Sequence, residues 1–301
     1  MPIFGPVYSR RFGMSLGVDV VKGTARECNF DCLYCELKAT PKTAQIISKE
    51  DPQDLIDSVK KTIDSGIKID VITITANGEP TIYDRLDELI DGLNRIKTVQ
   101  KTLLLSNGST ICNNNIQKTL KKFDVVKLSL DSARDESFKK LDRPIDFDLP
   151  HIMECMSNFR KIYHGELILE TLLVENINDS DEDIEALRLA YIKISPDRID
   201  LSTIDRPPAF AVKPISAEKL WNIAEKLGLP NISIALRKDT TPLGRTYSAR
   251  EWRNTLTRRP LTINDAKFLA DTKSLEIFED MISRGELIKK TVANMEFYSL
   301  K

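Results

Sequence analysis

Short strand-like runs alternate with helical periods through most of the chain. Several of the runs are almost entirely apolar or β-branched, which is typical of strands covered on both faces. Together with an earlier run at Leu16–Val20, they predict about seven parallel strands. The later runs are Val71–Thr75, Thr102–Leu105, Val125–Leu130, Leu167–Leu169 continuing toward Val174, Arg198–Ser202 and Ile232–Leu236.

Apolar stripes of helical period separate these runs, within residues 51–63, 86–93 and 179–194. Asp51–Pro52 and Asp179–Asp181 supply start signals for two of the helices. Alternating strands and helices form right-handed βαβ units and therefore a parallel sheet or barrel. The fold class is α/β.

The pattern changes near Pro242–Gly244. Three helical segments follow, and the second has a capping-box pair in Thr262 and Asp265. Two further strands are predicted at 287–292 and 295–298. Three helices and a hairpin form the pattern of a winged helix-turn-helix, although a small packing appendage has the same pattern. We therefore predict two domains, residues 1–240 and residues 245–301.

Three of the five cysteines, Cys28, Cys32 and Cys35, fall within eight residues at C-x3-C-x2-C spacing. Soft thiolate ligands select iron–sulfur clusters or zinc. Three cysteines would leave one iron of a [4Fe–4S] cluster open to a non-protein ligand, an arrangement suited to catalysis. Zinc, the alternative, needs a fourth ligand, and the two histidines are distant in sequence. Cys112 and Cys155 are interpreted as buried apolar residues or unpaired thiols.

Composition excludes several classes of protein. Five cysteines are too few for a disulfide scaffold, so we expect a reducing cytoplasm. No apolar run approaches the ~18 residues of a membrane helix. The net charge of −1 gives no overall attraction to nucleic acid, so RNA binding would need a local patch.

The segment Cys28-Asn29-Phe30-Asp31-Cys32-Leu33-Tyr34-Cys35 resembles the cluster loop of the radical SAM superfamily. Further resemblances follow in order at predicted strand ends: Asn77–Pro80 to the Gly-Glu-Pro turn, Ser106–Gly108 to the Thr-Asn-Gly element, and Ser129–Asp131 to a nucleoside contact. The segment Leu141–Pro144 also resembles one that follows the third of these strands. The opening Gly5–Arg11 with Ser15–Asp19 resembles a bacterial branch akin to the wyosine-base synthases of tRNA modification.

The resemblance implies a partial (β/α)6 TIM-type barrel with its site at the carboxyl ends of the strands. It also implies that Cys28, Cys32 and Cys35 bind three irons and that S-adenosylmethionine chelates the fourth. Tyr34 would lie by the adenine, and Gly78 and Glu79 by the methionine amino group. Asn107, Ser129 and Asp131 are candidates for the sugar, the carboxylate or the substrate.

The implied function is reductive cleavage of S-adenosylmethionine to a 5′-deoxyadenosyl radical that abstracts hydrogen from a substrate, with an RNA or tRNA base as the candidate. The reductant would be a flavodoxin or ferredoxin. A peptide-modifying or glycyl-radical-activating enzyme is one alternative, and a winged-helix regulator that senses redox state is another. Residues 245–301 carry a net charge of +3, a weak footprint for nucleic acid. Arg10–Arg11 and Arg258–Arg259 would add phosphate contacts.

Overall fold

The computed structural model describes residues 3–9, 11–234, 244–258, 260–292 and 295–301. Within these residues, eight strands form the larger sheet in sequence order. The first strand is antiparallel to the second, and every later pair is parallel. The strands are β1 (Ile3–Ser9), β2 (Gly13–Asp19), β3 (Val71–Thr75), β4 (Lys101–Ser106), β5 (Val125–Ser129), β6 (Glu166–Leu173), β7 (Arg198–Thr203) and β8 (Ile232–Ile234).

Helices connect each parallel strand to the next, so that six βα units lie between β2 and β8 in the described part of the chain. The prediction of an α/β fold with seven parallel strands is confirmed. The helices are α1 (Pro52–Asp64), α2 (Leu86–Ile96), α3 (Asn114–Leu120), α4 (Asp135–Leu141), α5 (Leu149–Ile162), α6 (Asp181–Ile194) and α7 (Ala217–Leu227).

The start signals predicted for the helices are present. Asp51 caps α1 by accepting from Gln53 N, and Ser180 caps α6 by accepting from Asp183 N. In both cases the side-chain oxygen satisfies a backbone N–H that has no partner inside the helix. None of the described helices is long and apolar enough to cross a membrane.

Side chains on the two faces of the sheet have different roles. Val126 and Leu128 of β5 pack in the large core beneath the helices. Val125, on the other face, joins Val71, Leu103 and Ile168 in a small apolar cluster. This alternation follows from the period of two along a strand.

The C-terminal segment contains the predicted elements in the predicted order. The capping box of Thr262 and Asp265 is present, and Asp271 caps the third helix. The winged-helix interpretation and the domain boundary stay predictions, and Pro242 and Leu243 lie outside the described residues. The elements are α8 (Ala249–Arg258), α9 (Ile263–Leu269), α10 (Thr272–Ser283), β9 (Leu287–Val292) and β10 (Met295–Leu300), the last two paired antiparallel.

A second core cluster lies in this segment, and it includes Val7 of β1. Asn254 Nδ2 donates to the Ile3 carbonyl at 2.6 Å, and Tyr247 OH donates to the Pro6 carbonyl at 3.3 Å. The segment therefore packs against β1, at one end of the larger sheet.

Candidate functional site

The cysteine loop follows β2 and is attached to the turn after β3. Glu27 N donates to the Asn77 carbonyl at 2.7 Å, and Glu79 N donates back to the Glu27 carbonyl at 3.1 Å. Gly78 makes this approach sterically feasible. Its φ is +147°, and a Cβ built there would lie 1.7 Å from the Glu27 carbonyl oxygen.

The other side of the cysteine loop is attached to the segment after α4. Asp31 N donates to the Asp142 carbonyl at 3.1 Å, and Leu33 N donates to the Leu141 carbonyl at 2.9 Å. Arg143 adds an ion pair to Asp31. The loop is therefore fixed between two segments that follow the carboxyl ends of strands, where barrel enzymes place their chemistry.

Glu79 is buried, with 1% of its surface exposed, and it organises the turn after β4. Its Oε1 accepts from Thr81 N, Thr81 Oγ1 and Ser106 Oγ at 2.6–2.9 Å. Its Oε2 accepts from Asn107 N at 2.7 Å. Burial raises the pKa of Glu79, against the opposing effect of these hydrogen bonds. An oxygen of a carboxylate has two lone pairs, so Oε2 can accept one further donor.

Asn107 links the turn after β4 to the cysteine loop. Its Nδ2 donates to Asn29 Oδ1 at 2.8 Å and lies 3.8 Å from Cys28 Sγ. Asn29 Nδ2 in turn donates to Ser109 Oγ at 2.8 Å. Asn107 therefore lies beside Cys28, a predicted iron ligand.

The three predicted ligand thiols share an environment that opposes ionisation. Burial raises the pKa of Cys28 to about 12, and the Glu79 charge adds to the effect. Burial and the carboxyl of Asp142 raise the pKa of Cys32. Burial also raises that of Cys35, while the neighbouring Arg26 lowers it. A bound cation would offset these effects, because thiolate ligands ionise with metal binding.

The other predicted contacts lie around Asp131, which is 3% exposed. Its Oδ2 accepts from Tyr34 OH at 2.5 Å, and its Oδ1 accepts from Leu172 N at 2.7 Å. Burial raises the pKa of Asp131 to about 6. Burial and the adjacent Asp131 charge raise the pKa of Asp142 still more strongly. The two carboxyls therefore favour a state in which one of them is protonated.

A cavity borders these groups, and the cysteine loop contributes Phe30 to its wall. Asn107, Ser129, Asp131 and Asp142 supply its polar groups, and apolar side chains from α4 and α5 supply most of the rest. Apolar walls with a few convergent polar groups are the kind of lining found in small-molecule sites.

The sequence did not predict a cluster of ion pairs that joins strands β5, β6 and β7. Lys127 Nζ lies 2.5 Å from Glu170 Oε1 and 3.3 Å from Asp200 Oδ2. Arg11 pairs with the same two carboxylates, at 3.1 and 3.2 Å. Arg11 therefore lies inside the sheet, and its predicted contact with phosphate is wrong. Arg10 and Arg259 lie outside the described residues.

The comparisons with known proteins identify the family. A model of the radical SAM superfamily matches residues 24–188, more than half of the chain. The UPF0026 protein of Helicobacter pylori strain J99 is 37% identical, over 98% of this chain and 96% of its own length. The chain belongs to the radical SAM superfamily. It is therefore an enzyme, which favours catalysis over the redox-sensing regulator.

Two solved structures show the radical SAM fold. A TYW1 structure with a bound lysine–pyruvate adduct has a TM-score of 0.53 and 17% identity, and the match covers 79% of both chains. Streptococcus suis SuiB bound to S-adenosylmethionine has a TM-score of 0.53 and 18% identity, and the match covers 71% of this chain and 46% of that one. At these identities the likeness concerns the fold alone. The predicted partial barrel of radical SAM type is confirmed.

Radical SAM enzymes use a [4Fe–4S] cluster and S-adenosylmethionine, so the predicted cofactors are confirmed at the level of the family. The residues of this chain fit that pair. Three soft sulfur donors lie on one fixed loop. Asp142 Oδ2 is buried and has no hydrogen-bond partner within the described structure. Asp142 lines the cavity, and its charge acts on the thiol of Cys32.

The interpretation of Cys112 and Cys155 as unpaired is wrong. Their sulfurs form a disulfide, although the two residues are 43 positions apart. Spacing in the sequence gave no signal for this contact, because the turn after β4 and helix α5 meet only in the folded chain. His151 lies beside this bond, with its Nε2 3.7 Å from Cys155 Sγ.

Proposed function

We propose that Cys28, Cys32 and Cys35 ligate three irons of the cluster in this radical SAM enzyme. The observation that carries the proposal is the attachment of the cysteine loop to the turns after β3 and α4, beside the cavity. When bound, the cluster and S-adenosylmethionine supply a 5′-deoxyadenosyl radical that abstracts a hydrogen atom from the substrate. The protein orients these groups and excludes water.

The remaining lone pair of Glu79 Oε2 would accept a hydrogen bond from the methionine amino group, with Gly78 beside it. Tyr34 would lie by the adenine, and its hydroxyl is already held by Asp131. Asn107, Ser129 and Asp131 would contact the sugar, the carboxylate or the substrate. Support for these last roles is that all three line the cavity.

The substrate that we propose is an RNA base, in tRNA first of all. Its support is the opening segment that resembles the wyosine-base synthases, together with the basic excess of residues 245–301. Ion pairs leave that net excess unchanged, but they occupy four of the basic side chains, because Arg245, Arg253, Arg284 and Lys289 are each paired with an acid in the same segment. The electron donor would be a flavodoxin or ferredoxin, and the three cluster thiols require a reducing compartment such as the cytoplasm.

Anaerobic reconstitution tests the core of this proposal. The chain should bind about four irons, and with a reductant and S-adenosylmethionine it should release 5′-deoxyadenosine slowly even without substrate. Cys32→Ala should lose both properties. Cys155→Ser changes a cysteine outside the triplet and is the control for iron binding, so it should keep about four irons. Zinc without iron, or about eight irons per chain, would contradict a single cluster.

The substrate is tested separately, by mass spectrometry of bulk tRNA from cells with and without the gene. We expect one modified nucleoside to disappear from the tRNA of the deletion strain and to return with the wild-type gene but not with the Cys32→Ala gene. Identical nucleoside profiles would reject tRNA while leaving the cofactor chemistry intact.

A further inference from the structure

The disulfide between Cys112 and Cys155 joins two walls of the cavity. Cys112 lies in the turn that begins at Asn107, and Cys155 lies on α5, which contributes Ile152 and Met156 to the cavity. The two walls are also in close contact beside the bond. Gly108 has a φ of +75°, and a Cβ built there would lie 2.5 Å from Met156 Cε.

The two sulfurs differ in exposure and in their neighbours. Cys112 is partly exposed, whereas Cys155 is buried. His151 lies one helical turn before Cys155, and positions four residues apart share a helix face. Its Nε2 lies 3.7 Å from Cys155 Sγ, and the residue itself is exposed to solvent.

This asymmetry suits thiol–disulfide exchange. An external thiolate would attack the accessible Cys112 Sγ, form a mixed disulfide with it and displace Cys155 as a thiolate. A proton on His151 Nε2 would stabilise that leaving thiolate, and a better-stabilised thiolate leaves faster. A second external thiol then releases Cys112. The protein gains two electrons and two protons, and the two external thiols are oxidised to one disulfide.

We propose that Cys112 and Cys155 form a reversible thiol–disulfide centre that sets the spacing of the two cavity walls. Its reaction partner is a low-molecular-weight thiol couple or a dithiol protein. The cavity has a volume of about 10 Å³, room for about one water molecule and far below the ~300–1,000 Å³ of ordinary ligand pockets, so its walls lie close together. The bond holds the turn after β4 against α5, and its reduction lets these walls separate.

The exchange is tested on the holoenzyme, equilibrated without oxygen in glutathione buffers of different ratios. Free thiols are then alkylated, and the peptides that contain Cys112 and Cys155 are weighed. We expect the pair to pass from oxidised to reduced across the ratios that separate oxidising from reducing cell compartments. A pair that stays oxidised at every ratio is a structural bond, and one that stays reduced forms no bond; either result overturns the proposal.

The role of the histidine has its own matched pair of variants. His151→Ala should slow reduction of the bond by about tenfold, because the leaving thiolate loses its partner. His164→Ala, which changes the chain's other histidine, also exposed, should leave the rate unchanged. Equal rates in the two variants would reject the leaving-group role.

The effect on the cavity is measured as affinity for S-adenosylmethionine by equilibrium dialysis, with the pair oxidised and then reduced. We expect at least about a threefold difference in the wild-type holoenzyme and none in a Cys112→Ser, Cys155→Ser double variant. If the oxidised and the reduced wild-type enzyme bind S-adenosylmethionine equally well, the disulfide does not set the spacing of the cavity walls. One zinc per chain that binds the reduced pair and is lost in Cys112→Ser would assign a metal site instead and also overturn the proposal.

Discussion

Gly78 has a φ of +147° and lies against the Glu27 carbonyl oxygen. A methyl group at this position forces the turn after β3 away from the cysteine loop, in addition to the strain of a backbone conformation that favours glycine. We expect Gly78→Ala to lower the free energy of unfolding of the apo chain by about 3 kcal/mol, combining ~1–3 kcal/mol of strain with ~1–3 kcal/mol of overpacking. Iron retention should fall as well.

Gly23→Ala is the matched control for this prediction. Gly23 has a φ of +99°, but nothing lies within 4 Å of a Cβ built there. The Gly23→Ala variant should therefore lose only the conformational part of the free energy of unfolding, about 1 kcal/mol, and it should keep the iron. Urea unfolding and iron analysis measure both variants, and equal losses would show that contact with Glu27 is unimportant.

Glu79 carries a second prediction at the residue scale. Glu79→Gln replaces one acceptor oxygen by an NH2 group, which donates and cannot accept a hydrogen bond. That group must face either a backbone N–H or the amino group of the cofactor, so one hydrogen bond is lost. Loss of a charge-assisted hydrogen bond costs about 1.5–3 kcal/mol, so affinity for S-adenosylmethionine should fall by roughly 10- to 150-fold. Equilibrium dialysis of the reconstituted enzyme measures this affinity.

The iron content of the Glu79→Gln variant should stay at the wild-type level, which separates cofactor binding from loss of the cluster. Glu88→Gln on α2 is the control, because Glu88 is exposed and pairs only with Arg85 among the contacts found for it. Unchanged affinity in Glu79→Gln would reject the contact with the methionine amine and leave Glu79 with its role in ordering the turn after β4.

At the residue scale, the sequence predicted where the site residues lie along the strands, but not which residues form hydrogen bonds with them. The motif order placed Glu79 and Asn107 at strand ends, and both lie there. The hydrogen bonds from Ser106 and Asn107 to Glu79 cross between neighbouring strands. Such contacts depend on sheet register, which the local pattern of one strand does not specify.

At the scale of elements, apolar runs predicted β3 to β7 within a few residues, because strands buried on both faces have an unbroken pattern. Strand β1 was missed, since Gly5–Pro6 interrupts its sequence and its register shifts between Phe4 and Val7. Residues 235–236 of the last predicted strand lie outside the described residues. Helix α5, which bears Cys155, was also missed, and with it the disulfide.

Lys127 tests the ionic cluster between β5, β6 and β7. Its side chain is 7% exposed and pairs with Glu170 and Asp200. Removing one partner of a buried ion pair leaves an uncompensated charge and typically costs ~3–5 kcal/mol. We expect Lys127→Met to lower the free energy of unfolding by about this amount, measured by urea denaturation of the apo chain.

The control is Lys60→Met, which breaks an exposed pair with Asp64 on α1. Exposed pairs contribute ~1 kcal/mol or less, so this variant should unfold almost as the wild type does. A small effect of Lys127→Met would mean that the remaining cations compensate the two carboxylates. Arg11 pairs with both of them, and Arg198 pairs with Asp200 at 2.9 Å, which makes that the specific alternative.

At the scale of the whole molecule, the sequence predicted the order of the elements after residue 244. It did not predict that these elements pack against β1. Burial of Val7 in the C-terminal core cluster ties the start of the chain to its end. An edge strand that is covered in this way is protected from pairing with another chain. Contacts between residues 241 positions apart, such as Pro6 and Tyr247, leave no trace in local periodicity, so only the elements could be predicted.

Lys290 offers the test of RNA binding by residues 245–301. It is exposed on β9, beside Lys289, whose charge is paired with Glu296. The slope of log affinity against log salt is negative, and each phosphate contact that is lost should make it less steep by about 0.7–0.9. We therefore expect Lys290→Ala in the full chain to weaken binding of bulk tRNA and to reduce that slope by one such step.

The measurement is filter binding of tRNA at several salt concentrations. Lys60→Ala, on α1 of the barrel, should leave both affinity and slope unchanged, because Lys60 is already paired with Asp64 far from β9 in the sequence. Since a surface Lys→Ala change costs little stability, a loss of binding would report on phosphate contact rather than on folding. If Lys290→Ala and Lys60→Ala bind tRNA alike, the hairpin of β9 and β10 does not contact RNA phosphates, and the C-terminal segment serves to cover β1.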